Sequence, residues 1–414
     1  MNHVTCLGCG CACDDITVRV DAGRIVQAER ACELGLAWFG DGSAPSRAIA
    51  GGADVTVDGA LDAAAALLST ADRRLVMLAP ELSCESQRAG VAIADHLGAA
   101  LDSVTSSTAM ASILAAQERG RAGATLGEIR HRADLLVCWG VDPAANYPRF
   151  MTRYVPDTGG LHVGARTVIA VDIGAVRGPA TAVSRVAIDP AEEVAALTAL
   201  AAGAPPPSLS EFGRRLLAAR YVVVVVDGEP GEPAAEGRTA ALVTLVQALN
   251  GPTRAALLTL RAGGNRSGAD AVMTSQTGYP AAVDFAAGYP RYRPHDGGAV
   301  ARLSRGEVDA VLVLGEIAKI PAHLRTLLSQ CSSVVMGPHA SAQRLAGTRV
   351  VVDTGTAGIH DAGTAMRMDD VPLPLRRVVD GPPETAAIIR ALGTRLTKRD
   401  AVDASARRIV ARRT

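Results

Sequence analysis

The sequence predicts an α/β protein: two doubly wound, mainly parallel Rossmann-like lobes behind a small N-terminal cysteine-loop domain. Three observations carry this. Short β-branched runs bounded by Gly, Pro or Asp recur along the chain. Amphipathic stretches of helical length separate them. The runs are continuously apolar rather than alternating, which is the pattern of parallel strands covered on both faces. At 414 residues the chain exceeds one ordinary core, so two or three domains are expected.

The N-terminal segment comes first. "CLGCGCACDD" places four cysteines within eight residues, and Cys32 follows in "ACELG", so five of the eight cysteines lie in the first 32 residues. Cys6, Cys9, Cys13 and Cys32 form C-x2-C-x3-C-x18-C, with Cys11 as an extra. Close thiolates on a Gly-containing loop plus a distant fourth suit a [4Fe–4S] cluster or tetrahedral zinc; a bare cysteine-rich turn is the alternative. Between them, "DDITVRVDAGRIVQAER" alternates apolar residues around Asp21-Ala-Gly23 and predicts a β-hairpin that returns the chain to Cys32. "GDGSAPS" ends this unit, giving a first domain over 1–48.

Strands are then predicted at 75–78, 135–139, 167–171, 221–226, 256–260, 310–314, 333–336 and 349–352, with helices such as 85–97 and 191–202 between them. The first lobe is expected to be split, 49–125 plus 238–414, with the second at 126–237. "AAGAPPPSLS" is expected to be a loop inside one lobe. The Arg-rich "TKRDAVDASARRIVARRT" is predicted to be a solvated final helix, with a contact to another protein chain as the other reading.

Ligands of such sheets collect beyond the carboxyl ends of the strands. Three exits are unusual. "LLVCWGVDPAANYPRF" supplies Trp139, Gly140, Asp142 and Asn146; "AVLVLGEIAKIP" supplies Gly315 and Glu316; "VVVDTGTAGIHDAGTAMRMDD" holds His360 and Asp361. Singly each is ordinary turn chemistry. On one sheet edge they suggest a large nucleotide-like ligand, or an ancestor that bound one. "RAGGNRSG", with Asn265, is glycine-rich but lacks the Lys-Ser/Thr of a P-loop.

Composition excludes several function classes. Lys+Arg and Asp+Glu are both 42 and aromatics are 3%, so neither a basic field nor a base-stacking platform points to nucleic acid. No leader pattern or apolar run of bilayer length stands out, so a cytoplasmic protein without a membrane partner is expected. The eight histidines show no H-x-H or H-E-x-x-H spacing, and no G-x-S-x-G elbow occurs. Asp14-Asp15 is read as turn or capping chemistry, and His360 as a hydrogen-bonded turn histidine rather than a proton relay.

Four segments carry a family resemblance: "CLGCGCACDDI", "TLGEIRHRADLLVCWGVDPAANYPRFMTRY", "TSQTGYPAAVDFAAGYPRY" (with Gln276) and "GTAMRMDDVPLPLR". The chain resembles the B subunit of formylmethanofuran dehydrogenase, a member of the molybdopterin oxidoreductases, nearly end to end. The resemblance implies a [4Fe–4S] cluster at Cys6, Cys9, Cys13 and Cys32, and a tungsten or molybdenum on two pterin guanine dinucleotides. One dinucleotide would lie at residues 139–146 and the other at 315–318, with 261–268 and 275–279 facing the pterins.

One departure is decisive. The redox family ligates its metal with cysteine or selenocysteine, about twenty residues before the "TLGE" motif. Here Thr108 stands at that position, and no cysteine lies between Cys84 and Cys138. A neutral hydroxyl is a poor ligand for a soft Mo or W ion, so the metal-pterin is predicted absent. Glu33 and Trp38 also stand where the redox enzymes are expected to be basic. The departure turns the resemblance toward the B subunit of the bacterial formyltransferase/hydrolase complex, in tetrahydromethanopterin-dependent one-carbon metabolism of methylotrophs. The implied partners are a formyltransferase subunit, an amidohydrolase-like hydrolase subunit and a third subunit, with catalysis on those chains. A working dehydrogenase subunit and a pterin- or nucleotide-binding module without turnover are the other readings. The strand exits quoted hold Arg149, Lys319 and Arg367 but few other cations, which favours an empty cleft.

Overall fold

The computed structural model describes residues 1–156, 166–229 and 237–411. Two sheets organise it. The smaller has five strands, all parallel, in the spatial order Arg254–Leu260, Tyr221–Asp227, Leu135–Trp139, Thr167–Ile173, Ser184–Ile188. The larger has nine. Its parallel centre runs Ala100–Ser103, Arg74–Leu78, Ala310–Leu314, Ser332–Gly337, Thr348–Asp353. Short antiparallel strands flank it: Val283–Asp284 and Arg291–Tyr292 at one end, Ala48–Ala50 and Ala53–Asp54 at the other.

The eight strands read from sequence are all present, lengthened by up to two residues at an end, because continuous β-branched runs bury both faces. In the five-stranded sheet, Leu136, Cys138, Val223 and Val225 point to one layer, and Leu135, Val137, Val222 and Val224 to the other. In the nine-stranded sheet, Val76, Leu312, Val334 and Val350 face the layer of helices Val57–Thr70, Cys84–Leu97 and the first turns of Thr385–Ala411. Leu75, Val311, Val335 and Val351 face the opposite layer, with Ala299, Leu324 and Leu328. Both sheets are therefore covered on both sides.

Two boundaries differ from expectation. Strand Arg254–Leu260 pairs with Tyr221–Asp227, and helix Arg238–Leu249 packs in the same core. Both therefore belong with the five-stranded sheet, beyond the boundary expected at 237. Residues 1–48 are not a separate core either. Cys6, Cys11, Cys13, Ile16, Ile25 and Phe39 share one buried cluster with Leu136, Val223 and Leu258, so the cysteine loop and its hairpin belong to one cover of the five-stranded sheet. Forty-eight residues bury too little apolar area to stand alone, and this docking supplies the remainder. The predicted hairpin is Thr17–Asp21 with Arg24–Glu29. "AAGAPPPSLS" connects two helices of the smaller lobe, Glu193–Ala201 and Ser210–Ala218. The final helix, Thr385–Ala411, continues through most of the Arg-rich tail, whose residues 412–414 lie outside the described residues, as does His162. No helix among the described residues is long and apolar enough to cross a membrane.

Candidate functional site

Each sheet has one place where chain order reverses. In the smaller it lies between Leu135–Trp139 and Tyr221–Asp227; in the larger, between Arg74–Leu78 and Ala310–Leu314. A crevice is expected outside the carboxyl ends of the strands at such points. The two face each other across a cleft of about 490 Å³. Gly8 and Cys9 of the cysteine loop line it, with Ser107, Thr108, Asn146, Tyr147, Asp227, Glu229, Arg266 and His323. The structure thus brings together Cys9, Thr108 and Asn146, which sequence reading singled out separately.

Thr108 ends the short helix Thr105–Thr108 and spends its hydroxyl on the Val104 carbonyl at 3.0 Å. It therefore presents a methyl-bearing, hydrogen-bonded side chain to the cleft rather than a free donor. Asn146 closes the turn that Asp142 starts by accepting the Ala144 N–H at 2.9 Å. The remaining predicted positions shape the walls. Trp139 is fully buried among the helices behind the smaller sheet and donates its indole N–H to Glu193 at 2.7 Å, so it is a core residue and not a cofactor platform. Gly140 turns the chain at φ 65°. Gly315 has φ 107°, and a Cβ there would lie 2.5 Å from the Pro80 carbonyl oxygen, so that exit is glycine because two strand ends touch. Gln276 is exposed on helix Arg266–Thr277.

Asn265, left-handed at φ 60°, is a buried junction. Its amide donates to Leu82 O at 2.8 Å and its Oδ1 accepts from Met366 N–H at 2.8 Å. The glycines before it serve contact, not phosphate. A Cβ on Gly263 would lie 2.2 Å from Leu7 O, and Gly264 N–H donates to that same oxygen at 2.9 Å. From the other side, a Cβ on Gly10 would lie 1.9 Å from Arg261 O. The "RAGGN" run is the seat on which the cysteine loop rests, backbone to backbone.

Asp14 and Asp15, expected to be turn or cap residues, instead clamp this loop. Asp15 takes both Arg149 nitrogens at 2.7 Å, and Arg153 bridges Asp14 and Asp15. Both arginines follow the turn that leaves strand Leu135–Trp139, so the loop and the strand exit are fixed to each other. Arg149 is therefore not free for a phosphate. Arg367 is likewise held, by Asp369 at 2.6 and 2.8 Å. His360 is buried and is not among the residues lining the cleft: Nδ1 accepts Thr356 N–H at 3.0 Å and Nε2 bonds Gly42 O at 2.9 Å. Both ring nitrogens are bonded to backbone, as expected of a hydrogen-bonded turn histidine, and burial holds its pKa below the ordinary value.

Within the loop, Cys6 lies within electrostatic reach of Cys9, Cys13 and Cys32, and burial pushes its pKa well up. Gly8 N–H points at Cys6 Sγ, 3.4 Å away, the kind of bond that steadies a thiolate. Cys9 shares a hydrogen bond with the extra Cys11, which lowers its pKa. The donor chemistry fits a four-thiolate group. In the arrangement present, no three His, Cys, Asp or Glu side chains among the described residues converge on one point.

Sequence reading named Arg261 and Arg266 only as part of residues 261–268 and missed the carboxylates they meet. Arg261 donates Nε to Glu229 at 2.9 Å, one terminal nitrogen to Asp270 at 2.8 Å and the other to Thr105 Oγ1 at 2.8 Å. Arg266 pairs with the second Glu229 oxygen. Beside Gly264, whose carbonyl accepts its N–H at 2.8 Å, Glu81 is left-handed at φ 72°, buried, and accepts the Trp38 indole N–H at 2.9 Å; burial raises its pKa to about 7. The only sequence signal was placement: Glu229 follows strand Tyr221–Asp227 by two residues, and Glu81 follows Arg74–Leu78 by three.

No family model matches the chain. It is 29% identical to the B subunit of the tungsten-containing formylmethanofuran dehydrogenase 2 of Methanocaldococcus jannaschii over 416 aligned residues, 93% of this chain and 94% of that one. With the B subunit of the formyltransferase/hydrolase complex Fhc of Methylorubrum extorquens it shares 30% over 281 residues, 66% of this chain and 75% of the relative. The chain belongs to the family of formylmethanofuran dehydrogenase B subunits. The Fhc relative falls within the same range of likeness. A solved chain from the M. extorquens FhcABCD complex with methylofuran superposes with TM-score 0.73 at 23% identity, covering 86% of this chain and 99% of its own length, so the fold is shared. Thr108 lies in the wall of the cleft.

Proposed function

We propose that this family member is a non-redox component of a formyltransferase/hydrolase-type complex. In this reading formate is released from a formyl-methanofuran-type carrier at active sites on partner subunits. The partners are an amidohydrolase-like hydrolase subunit, a formyltransferase subunit and a third subunit. The carrying observation is Thr108: the position where the redox relatives are expected to hold metal through sulfur or selenium lines the cleft here as a hydroxyl already bonded to Val104 O. The paired arginines support it, because carboxylates of the chain itself take the guanidiniums nearest the cleft. Cys6, Cys9, Cys13 and Cys32 would hold an iron–sulfur cluster or zinc as a structural group, steadying the loop that forms one wall.

A second reading is a tungsten or molybdenum dehydrogenase subunit; the likeness to the tungsten-containing relative over 93% of the chain favours it. A kinetic test separates the two. The complex assembled with its partners, given formyl carrier, should release formate without reducing a viologen dye, and Thr108→Ala should leave the rate within about twofold of wild type. Dye reduction coupled to formyl consumption, or a tenfold loss in Thr108→Ala with the complex intact, would contradict the proposal.

A further inference from the structure

We propose that Glu229 is an internal anion: its carboxylate occupies two arginines, the cleft-lining Arg266 and its neighbour Arg261, that would otherwise receive the phosphate or pyrophosphate of a nucleotide-like ligand. The inference rests on the non-redox reading and extends it by naming the residue that closes the site.

Three strand-end elements converge here. Glu229 lies two residues beyond strand Tyr221–Asp227, and Arg261 immediately follows strand Arg254–Leu260. Arg266 opens the twelve-residue helix Arg266–Thr277. The side chains of Glu229, Arg261 and Arg266 are only 8%, 10% and 13% exposed. One Glu229 oxygen takes Arg261 Nε at 2.9 Å and the Ala262 N–H at 3.2 Å; the other takes Arg266. Guanidinium nitrogens, a backbone N–H and a helix start around two anionic oxygens are what a phosphate group would also require. The arginines hold Glu229 firmly ionised: they pull its pKa below the ordinary value although burial pushes it up.

Charge counting points the same way. Arg261 and Arg266 meet Glu229 and Asp270, so the cluster is neutral as it stands. Asp227 also lines the cleft, and Glu81, whose N–H donates to Gly264 O at 2.8 Å, feels the charges of Glu316, Lys319 and Arg266. His323 and the Lys319 carbonyl, which accepts from Arg266 at 3.2 Å, complete the surroundings. An incoming phosphate would displace no water from a waiting cation; it would have to expel a buried carboxylate. Arg266 Nε, buried without a partner, is the one donor the carboxylate leaves over.

The test is calorimetric titration of the full-length chain with inorganic pyrophosphate and with GDP. Wild type and Glu229→Asp, which keeps the charge, are expected to show no binding at millimolar ligand. Glu229→Gln and Glu229→Ala are expected to bind at least tenfold more tightly, and adding Arg266→Ala should abolish the gain. Folded Glu229→Gln with wild-type affinity overturns the proposal, as does wild type binding as tightly as the variants or Glu229→Asp gaining as much as Glu229→Ala. If Glu229→Ala does not fold, Glu229→Gln decides, since it keeps size and acceptor oxygen. Tungsten or molybdenum in the wild-type complex would remove the non-redox reading, whereas the affinity ratio between wild type and variants reads Glu229 itself.

Discussion

Glu81, which packs against Gly264 of the "RAGGN" run, concentrates titration chemistry in one residue. It is left-handed, buried, and its carboxyl titrates near pH 7 because burial disfavours the anion more than the Trp38 indole and nearby Lys319 and Arg266 favour it. The folded state therefore binds the proton more tightly than the unfolded chain, whose carboxyl has the ordinary value of about 4.5. The resulting stability is fully present below about pH 4.5 and fades as pH rises to about 7. The difference is on the order of 3 kcal/mol. Glu81→Gln, which keeps an acceptor for Trp38, is expected to flatten the unfolding free energy between pH 5 and 7.5 and to stabilise the protein above pH 7.5. An unchanged slope in urea titrations across that range would show that Glu81 is not the titrating group. Trp38 itself stands out in the sequence as a departure from the redox pattern, but nothing there says that its partner lies 43 residues on.

At the scale of elements, the cysteine loop is held by contacts that composition hides. The "RAGGN" glycines look like a phosphate loop; they are glycine because two backbones meet at Leu7 and Arg261. Gly263→Ala puts a methyl 2.2 Å from a carbonyl oxygen that has no flexible end to yield, and is expected to cost about 3 kcal/mol or more in chemical denaturation. Helix Leu126–Arg132 gives a milder case. Thr125 and Glu128 form a complete capping box, so Thr125→Ala should lower stability by about 1 kcal/mol, read as a shifted denaturant midpoint with unchanged slope. The eight apolar strands were legible because burial on both faces leaves an unbroken β-branched run. Ala100–Ser103 was not, since "ALDS" ends in polar residues. Its Asp102 is buried only because Ser103, Ser106, Ala282 and Ala299 all donate to it, partners up to 197 positions away. The clamp between Asp14-Asp15 and Arg149 and Arg153 was equally hidden, because its two halves meet only after the loop has docked.

For the whole molecule, two mainly parallel sheets set their reversal points against one cleft, and the N-terminal segment lines it from a third side. Architecture and family were readable from the chain because they are written in continuous patterns and in motifs such as the paired Tyr-Pro segments. The proposed absence of a redox metal rests on one position, Thr108, and the pairing of Glu229 with Arg261 and Arg266 is visible only in the folded arrangement. On the proposed reading, such a scaffold keeps its large core and its partner surfaces without redox chemistry at its centre, because a single position, Thr108, carries the departure expected from the redox relatives. The most direct measurement of that claim is elemental analysis by mass spectrometry of the complex purified anaerobically from its native host. The account predicts tungsten and molybdenum each below about 0.05 atoms per copy of this chain. Either metal at close to one atom per copy, retained through gel filtration, would contradict it.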